Sequence, residues 1–206
     1  MILSRSKHMV SSKVKKMGSL YYSGASNTFY AYLSKSNVSQ DLPKADFVCY
    51  AAFNASIDAG KIISRNHKYY VPIQLDEPDF KENIIYKKVF LSVANASGDL
   101  YHYDQIAASL TDQWDVAPAS QDWKIKKTSV HVNFEKVSLR ADNQNIGQIE
   151  RGDFMVLMPW SVNASFTPVA ECRFTDRQGR AWKIEDVDDK SYVNQAYLLR
   201  VSQDDR

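Results

Sequence analysis

The chain has 206 residues, of which 44% are hydrophobic and 12% aromatic, and its formal net charge is +2. This composition excludes a fully disordered chain, because disorder requires few apolar residues and a high net charge. Glycine is scarce, while Val, Ile, Tyr, Phe, Trp and Thr are frequent, and these side chains favour the pleated, half-buried surface of a β-sheet. We therefore predict a mainly β globular protein.

Residues 1–27 are predicted to form a basic N-terminal arm that contains an amphipathic helix. Its apolar stripe has helical spacing and consists of Leu3, Val10, Val14, Met17 and Tyr21. The first 20 residues carry five Lys or Arg and no Asp or Glu. We expect a docked helix with a solvated basic face. Two other interpretations are contact with a nucleic-acid backbone or an acidic neighbouring subunit, and a helix that lies on a membrane surface.

Residues 28–128 are predicted to form a β-rich region. Apolar residues alternate with polar ones or with tyrosine in several runs, beginning with Phe29, Ala31 and Leu33. Pro72 indicates that the strand around it lies at a sheet edge, because proline cannot donate a ladder hydrogen bond. One short internal helix is predicted near residues 104–114, with Asp104 as its N-cap.

Residues 129–206 are predicted to form a small C-terminal β-barrel or sandwich of antiparallel strands. The run 154–160 is apolar on both faces, which is typical of a central strand. Cys172–Val187 has the pattern of a hairpin whose type I turn runs from Asp176 to Gly179. The sequence AYLLRV at 196–201 is predicted to be the last strand.

Known catalytic signatures do not occur in the sequence. It has no phosphate-binding glycine loop and no CxxC, HExxH or GxSxG motif, and its four histidines share no ligand spacing. His131 is expected to face solvent or a subunit contact, and the acidic run 185–189 is expected to be a solvated turn. We predict that the protein is not an enzyme and has no catalytic residues, cofactor or metal.

The two cysteines, Cys49 and Cys172, are far apart in the chain and both lie in strand-like runs. Two reduced, buried thiols are the favoured interpretation, and a disulfide between them is left open. The N-terminal sequence has no continuous apolar core, and no run has the roughly 20 apolar residues of a membrane span. We expect a soluble protein of a reducing cytoplasm.

The C-terminal section, residues 130–202, resembles the small β-barrel proteins of the head-to-tail connector of tailed bacteriophages. The residues that carry the resemblance are Gly147-Gln148-Ile149, Gly152-Asp153, Val156–Pro159, Thr167-Pro168 and the hairpin from Asp176 to Val187. The resemblance implies a neck or head-closure protein that forms a ring below the portal, seals the DNA channel and offers the tail a docking face. It implies a location in the virion neck or tail, and in the host cytoplasm during assembly.

The partners that this resemblance implies are copies of the chain, portal or adaptor proteins, tail proteins and, through non-specific contact, packaged DNA. The contact residues expected from exposure are Lys13, Lys15, Lys16, Asp142, Asn143, Gln144, Asn145, Arg177 and Gln178. Residues 141–206 carry eight Lys or Arg and eleven Asp or Glu, a net charge of −3, which complements the basic arm. Such head-to-tail complementarity suits a ring.

Two other functions are consistent with the sequence. One is a tail-tube or tail-terminator subunit of the virion. The other is a carbohydrate- or ligand-binding β domain with an exposed aromatic platform, for which tyrosines packed on strand faces are the alternative interpretation. The platform would consist of Tyr21, Tyr22, Tyr30, Tyr32, Tyr69 and Tyr70.

Overall fold

The structure of the chain is a computed structural model. It describes residues 2–36, 45–80, 83–105, 110–112, 115–116, 121–136 and 154–204. These residues form two closed antiparallel β-barrels of six strands each, two small two-stranded sheets and one α-helix. The predicted mainly β fold class with an antiparallel barrel is confirmed.

The single α-helix of the described residues, α1, covers Ile2–Met17. The strands that follow it are β1 (Ser19–Ser23), β2 (Asn27–Lys35), β3 (Phe47–Ala52), β4 (Ile63–Arg65), β5 (Lys68–Asp76), β6 (Asp79–Phe80), β7 (Asn83–Ile84) and β8 (Tyr86–Val93). The later strands are β9 (Ala96–Gln105), β10 (Leu110–Asp112), β11 (Asp115–Val116), β12 (Gln121–Lys136), β13 (Phe154–Pro159), β14 (Arg173–Asp176), β15 (Ala181–Asp188) and β16 (Ala196–Gln203). A 3₁₀ helix, Trp160–Ala164, follows β13.

The two barrels have the same strand order. The first runs β1-β2-β3-β8-β5-β4 and the second β9-β12-β13-β16-β15-β14, and each closes on its first strand. In both barrels the fifth strand shifts its register against the sixth, between Pro72 and Gln74 in β5 and between Ile184 and Asp186 in β15. The chain therefore contains the same six-stranded barrel topology twice. Its N-terminal half is a complete barrel of its own and not an extension of the C-terminal barrel.

The boundary between the barrels lies earlier than the sequence indicated. The predicted C-terminal barrel began at residue 129, but β9 and the start of β12 already belong to the second barrel. Asp104 pairs with Asp122 in the β9–β12 ladder, and Leu110–Asp112 is a strand. The helix predicted near 104–114 is therefore wrong wherever its residues are described, because long-range strand pairing overrides the local helical spacing. Ile106 and Trp114 lie outside the described residues.

The N-terminal arm also differs from its prediction. The predicted helix is present, but it ends at Met17, and Tyr21 lies in β1 with its side chain in the first barrel. Gly18 makes this break, because a Cβ there would lie 2.3 Å from the Val14 carbonyl oxygen. Beyond Gly18 the side chains alternate with period two, so a stripe with helical spacing no longer describes them.

Pro72 does not mark a sheet edge. Its strand, β5, pairs with β8 on one side and with β4 on the other. Within β5, only Lys68–Tyr70 pair with β4, so Pro72 lies beyond the end of that ladder. A closed barrel tolerates proline at such a position, since no hydrogen bond is required there.

The central strand, the hairpin and the last strand predicted for the C-terminal part of the chain are confirmed. β13 is a central strand between β12 and β16, and β16 includes the predicted run 196–201. β14 and β15 form the predicted hairpin. Its turn has the hydrogen bond of a type I turn, because the Gly179 amide donates to the Asp176 carbonyl at 2.9 Å.

Each barrel has its own core, and a third apolar cluster joins them. The first core includes Tyr21, Phe29 and Cys49, and the second includes Phe174, Trp182 and Tyr197. The residues of the joining cluster face outward from both barrels and are buried between them. They are Val48, Val71, Ile73 and Phe90 of the first barrel and Leu157, Tyr192, Ala196 and Leu198 of the second.

Candidate interaction surfaces

Within the described ranges, no group of three or more His, Cys, Asp or Glu is placed to hold a metal ion. No helix in this part of the chain has both the length and the apolarity to cross a membrane. A groove of about 190 Å³ lies where the barrels meet, lined by residues that include Leu75, Tyr192 and the exposed Val193.

The first surface, the basic helix face, consists of Lys13, Lys15 and Lys16, whose side chains are all exposed. α1 lies against β2, β3 and β8 and buries Val14 there. Lys15 and Lys16 occupy its last turn, where positive charge interacts favourably with the helix dipole. The expected docked helix with a solvated basic side is therefore confirmed.

The second surface, the tyrosine face, is the outer side of β1 and β2. It consists of Leu20, Tyr22, Tyr30 and Tyr32, which are 38%, 44%, 44% and 51% exposed. Leu20 lies opposite Tyr30 in the ladder between the two strands. The other tyrosines of the predicted platform do not join it, since Tyr21 and Tyr70 are buried in the first core. The structure thus keeps three of the six tyrosines on one accessible face.

Tyr69, the sixth of these tyrosines, stacks on His131. The ring centroids lie 3.6 Å apart at an angle of 11°. His131 belongs to β12, so this stack connects the two barrels. Burial, and secondarily the charge of Arg177, lowers the pKa of His131 below its ordinary value. His131 is half-buried, and the ring it contacts belongs to the other barrel of the same chain.

The third surface is the tip of the β14–β15 hairpin, where Arg177 and Gln178 are exposed as predicted. The backbone amide of Arg177 donates to the Ser97 carbonyl at 3.0 Å, which fixes the tip against β9. Asp176 holds the turn from within: its carboxylate accepts hydrogen bonds from the Gln178 and Arg180 amides and from the Arg180 guanidinium. A rigid tip loses little conformational entropy when a partner binds it.

The ionisation of Asp176 reflects this position. Burial alone would raise the pKa of the carboxyl, but hydrogen bonds from the backbone and guanidinium of Arg180, from the Trp182 indole and from Gln178 together lower it. The carboxylate form is therefore the one that the folded hairpin stabilises. The role of Asp176 is structural, and the exposed side chains of the tip are the groups that could meet a partner.

The fourth surface, the acidic turn, consists of the exposed carboxylates of Asp186, in the last part of β15, and Asp189, directly after that strand. Asp188 closes the turn, because one of its oxygens accepts from the Lys190 amide at 2.8 Å and the Ser191 amide at 2.9 Å. Burial would raise the pKa of Asp188, but hydrogen bonds from Ser191 and Lys190 lower it. The predicted turn is wrong for residues 185–188, which belong to β15 and pair with β16 from Asp186 onward, but Asp186 and Asp189 are solvent-exposed as expected.

The two cysteines lie in different barrels, Cys49 in the first core and Cys172 in the second, and both are free thiols. The two cysteines are therefore not joined by a disulfide. Burial raises the pKa of Cys49 to about 12 and also raises that of Cys172. Neither thiol is a candidate nucleophile, because a reactive cysteine needs an accessible thiolate.

The predicted contact residues do not form one site. The lysines lie on a helix of the first barrel, and Arg177 and Gln178 lie on a turn of the second. The remaining predicted contacts, Asp142, Asn143, Gln144 and Asn145, lie outside the described residues. Sequence reasoning did not identify Leu20 or Val193 as exposed, because apolar residues in strand-like runs are ordinarily assigned to a core.

Comparison of the chain with protein-family models, with curated proteins and with solved structures gave no match. Function is therefore inferred from the four surfaces and from the sequence resemblance of residues 130–202.

Proposed function

We propose that this chain is a structural subunit of a bacteriophage neck, which forms a ring with copies of itself, joins portal to tail and helps to close the DNA channel. Its partners are further copies, portal or adaptor proteins and tail proteins, with non-specific contact to packaged DNA. It catalyses no reaction. It acts in the virion and assembles in the host cytoplasm.

The observation that carries the proposal is a pair of exposed surfaces with opposite charge on different barrels. The basic helix face belongs to the first barrel, and the acidic turn, with Asp186 and Asp189, belongs to the second. A contact between unlike patches of identical subunits is heterologous, and it forms a ring when its rotation closes. Complementary charge accelerates such an encounter and disfavours wrong partners.

The joint between the barrels gives further support. A ring subunit must hold its two contact patches at a fixed angle, because an error in that angle is repeated at every interface. Here the apolar cluster between the barrels is reinforced by hydrogen bonds. The Ser161 amide donates to the Gly60 carbonyl at 3.0 Å, and the Asn133 amide group donates to the Val93 carbonyl at 2.8 Å. Both bonds connect the two barrels, so they restrict rotation between them.

Native mass spectrometry and negative-stain electron microscopy of the purified chain, alone and with the portal of its own phage, test the proposal. We expect a closed ring with one dominant copy number, and the chain at the neck of purified virions. Open tubes would overturn it in favour of a tail-tube subunit. A monomer that associates with neither portal nor tail would overturn it altogether.

A charge exchange tests the interface itself. Reversal of the helix charges in K13E/K15E/K16E, or of the acidic turn in D186K/D189K, is expected to shift the population from rings to monomers. The chain that carries both sets should recover rings, because its charges are again complementary. Lys68→Glu reverses an exposed charge outside both patches and should leave the ring population unchanged. Loss of rings in the double set would exclude this pairing.

A further inference from the structure

We propose that the tyrosine face and the adjoining end of α1 bind single-stranded nucleic acid. Single-strand binding combines aromatic platforms, on which successive bases stack, with cationic groups that follow the phosphates. Both components occur at one place on the first barrel. The surface lies within a single copy of the chain, so a monomer can bind; in a ring, Lys15 and Lys16 are shared with the proposed contact to the acidic turn.

The aromatic component is a row of tyrosines on one side of adjacent strands. Tyr30 and Tyr32 are alternate residues of β2, so their side chains leave the same face about 6.7 Å apart. Tyr22 lies on the neighbouring strand β1, and Tyr50 of β3 lies opposite Tyr32. The outward positions of β1 and β2 from Leu20 to Ser34 include no charged residue. A row of half-exposed rings without charges is unusual for a solvated sheet face.

The outer faces of the second barrel provide a contrast within the same molecule. There the outward positions of β14, β15 and β16 carry charged side chains, among them Arg173, Lys183 and Arg200. Lys183 also bridges Glu171 and Glu185, at 2.9 and 3.0 Å. Charged outward residues are the ordinary way to solvate a barrel, so the tyrosine face departs from the pattern that this chain itself uses.

The charged residues of the N-terminal segment that builds this surface are all positive. Residues 1–36 contain six Lys or Arg and no Asp or Glu. The end of α1 is held beside the tyrosine face, because Gly18 lies directly against Ala31, the residue between Tyr30 and Tyr32; a Cβ on Gly18 would be 2.8 Å from the Ala31 carbonyl oxygen. Lys15 and Lys16 therefore lie near the Tyr32 end of this row of tyrosines.

Rings and cations together select the ligand. Duplex DNA offers its phosphates but keeps its bases stacked inside, so it would engage the lysines without the tyrosines. A neutral polysaccharide could cover the rings, but it has no anionic group for the lysines. Only an unpaired strand presents base faces and phosphates at the same time, which is why we commit to single-stranded nucleic acid as the occupant.

Fluorescence anisotropy with a labelled oligothymidine tests the proposal. The variants Tyr30→Ala and Tyr32→Ala are each expected to raise Kd at least about fivefold, whereas Tyr→Phe at the same positions should retain binding, because the ring remains. In the triple variant K13Q/K15Q/K16Q, the negative slope of log K against log salt should become shallower by about 2. Ile125→Ala, an exposed strand position of the second barrel, is the control and should leave Kd unchanged.

Three outcomes would overturn the proposal. The first is a Kd for oligothymidine that neither Tyr30→Ala nor Tyr32→Ala changes. The second is a duplex of equal length that binds as tightly as the single strand. The third is a neutral polysaccharide that competes fully with the oligonucleotide. Photocrosslinking of bromouracil-substituted oligonucleotides should label Tyr30 or Tyr32. The assembly state of each tyrosine variant is measured in parallel. Loss of binding with rings intact, or binding by a chain that forms no rings, separates this proposal from the neck function.

Discussion

The burial of Cys49 and Cys172 determines how readily their thiols ionise. Both side chains are fully buried, each in a different barrel, so neither can reach the other or solvent. The thiol form of cysteine behaves as a small apolar group, whereas the thiolate would bring an unpaired charge into the core. Burial therefore raises the pKa of Cys49 from its ordinary value of 9.0 to about 12.

This shift predicts a loss of stability at alkaline pH. The pKa is higher in the folded state, so the folded protein holds the proton longer, and the stabilisation present below pH 9.0 is lost as pH rises toward about 12. The free energy of unfolding should fall there by up to about 4 kcal/mol. Denaturant titrations across this range check it. Cys49→Ala should flatten the decline, and an equal decline in that variant would contradict the assignment.

At the scale of elements, two hairpins reverse the chain direction with different residues in their turns. The β14–β15 turn uses Gly179 at a φ of +79°, and Asp176 accepts several hydrogen bonds inside it. Since the pKa of Asp176 is lowered in the folded chain, this support is present at neutral pH and is lost as the carboxylate becomes protonated in acid. The β4–β5 hairpin instead turns through Asn66 and His67, at φ values of +48° and +60°.

His67→Gly is predicted to stabilise the first barrel. Asn66 and His67 both place a Cβ in the left-handed region, where glycine has no such steric cost, and Asn-Gly is the preferred pair for such two-residue turns. The exposed His67 side chain leaves little packing to lose, so the free energy of unfolding should rise by about 0.5–1 kcal/mol. Chemical denaturation measures the change. His67→Ala keeps the Cβ and should give no gain; an equal gain there would assign the effect to the side chain.

At the scale of the whole molecule, the junction between the barrels depends on a close backbone approach at Gly60. A Cβ at this position would lie 2.5 Å from the Trp160 Cβ and 2.7 Å from the Asn194 carbonyl oxygen. Gly60 follows β3 in the first barrel, and Trp160 follows β13, the equivalent strand of the second. The segments that follow the third strand of each barrel therefore contact each other at this junction.

Gly60→Ala is predicted to loosen the junction. It should lower the free energy of unfolding by at least about 2 kcal/mol and separate the unfolding of the two barrels into resolved calorimetric transitions. Gly179→Ala is the matched control. It also has a positive φ, but a Cβ there meets nothing within 4 Å, so it should cost only about 1 kcal/mol and keep a single transition. Equal calorimetric profiles for the two variants would contradict the role of Gly60.

The candidate surfaces were only partly predictable from the sequence. The exposure of Lys13, Lys15 and Lys16 followed from helical spacing, and that of Arg177 and Gln178 from turn chemistry, because both patterns are local. Neither pattern predicts which tyrosines are buried and which are exposed. Tyr21 and Tyr22 are neighbours in sequence, but the first is in a core and the second on the surface, and this depends on which side of β1 the rest of the barrel covers.

The sequence by itself determined the local structure: the alternation of Phe29 and Ala31, the hairpin at Asp176 and Gly179, and the presence of a helix in the N-terminal arm. These features follow from side-chain periodicity and turn preference within a few residues. Only the tertiary structure decided that β9 closes the second barrel, that both barrels share a strand order, and that His131 meets Tyr69. Such contacts join residues far apart in the chain, and they form because burial of whole apolar faces outweighs local preference.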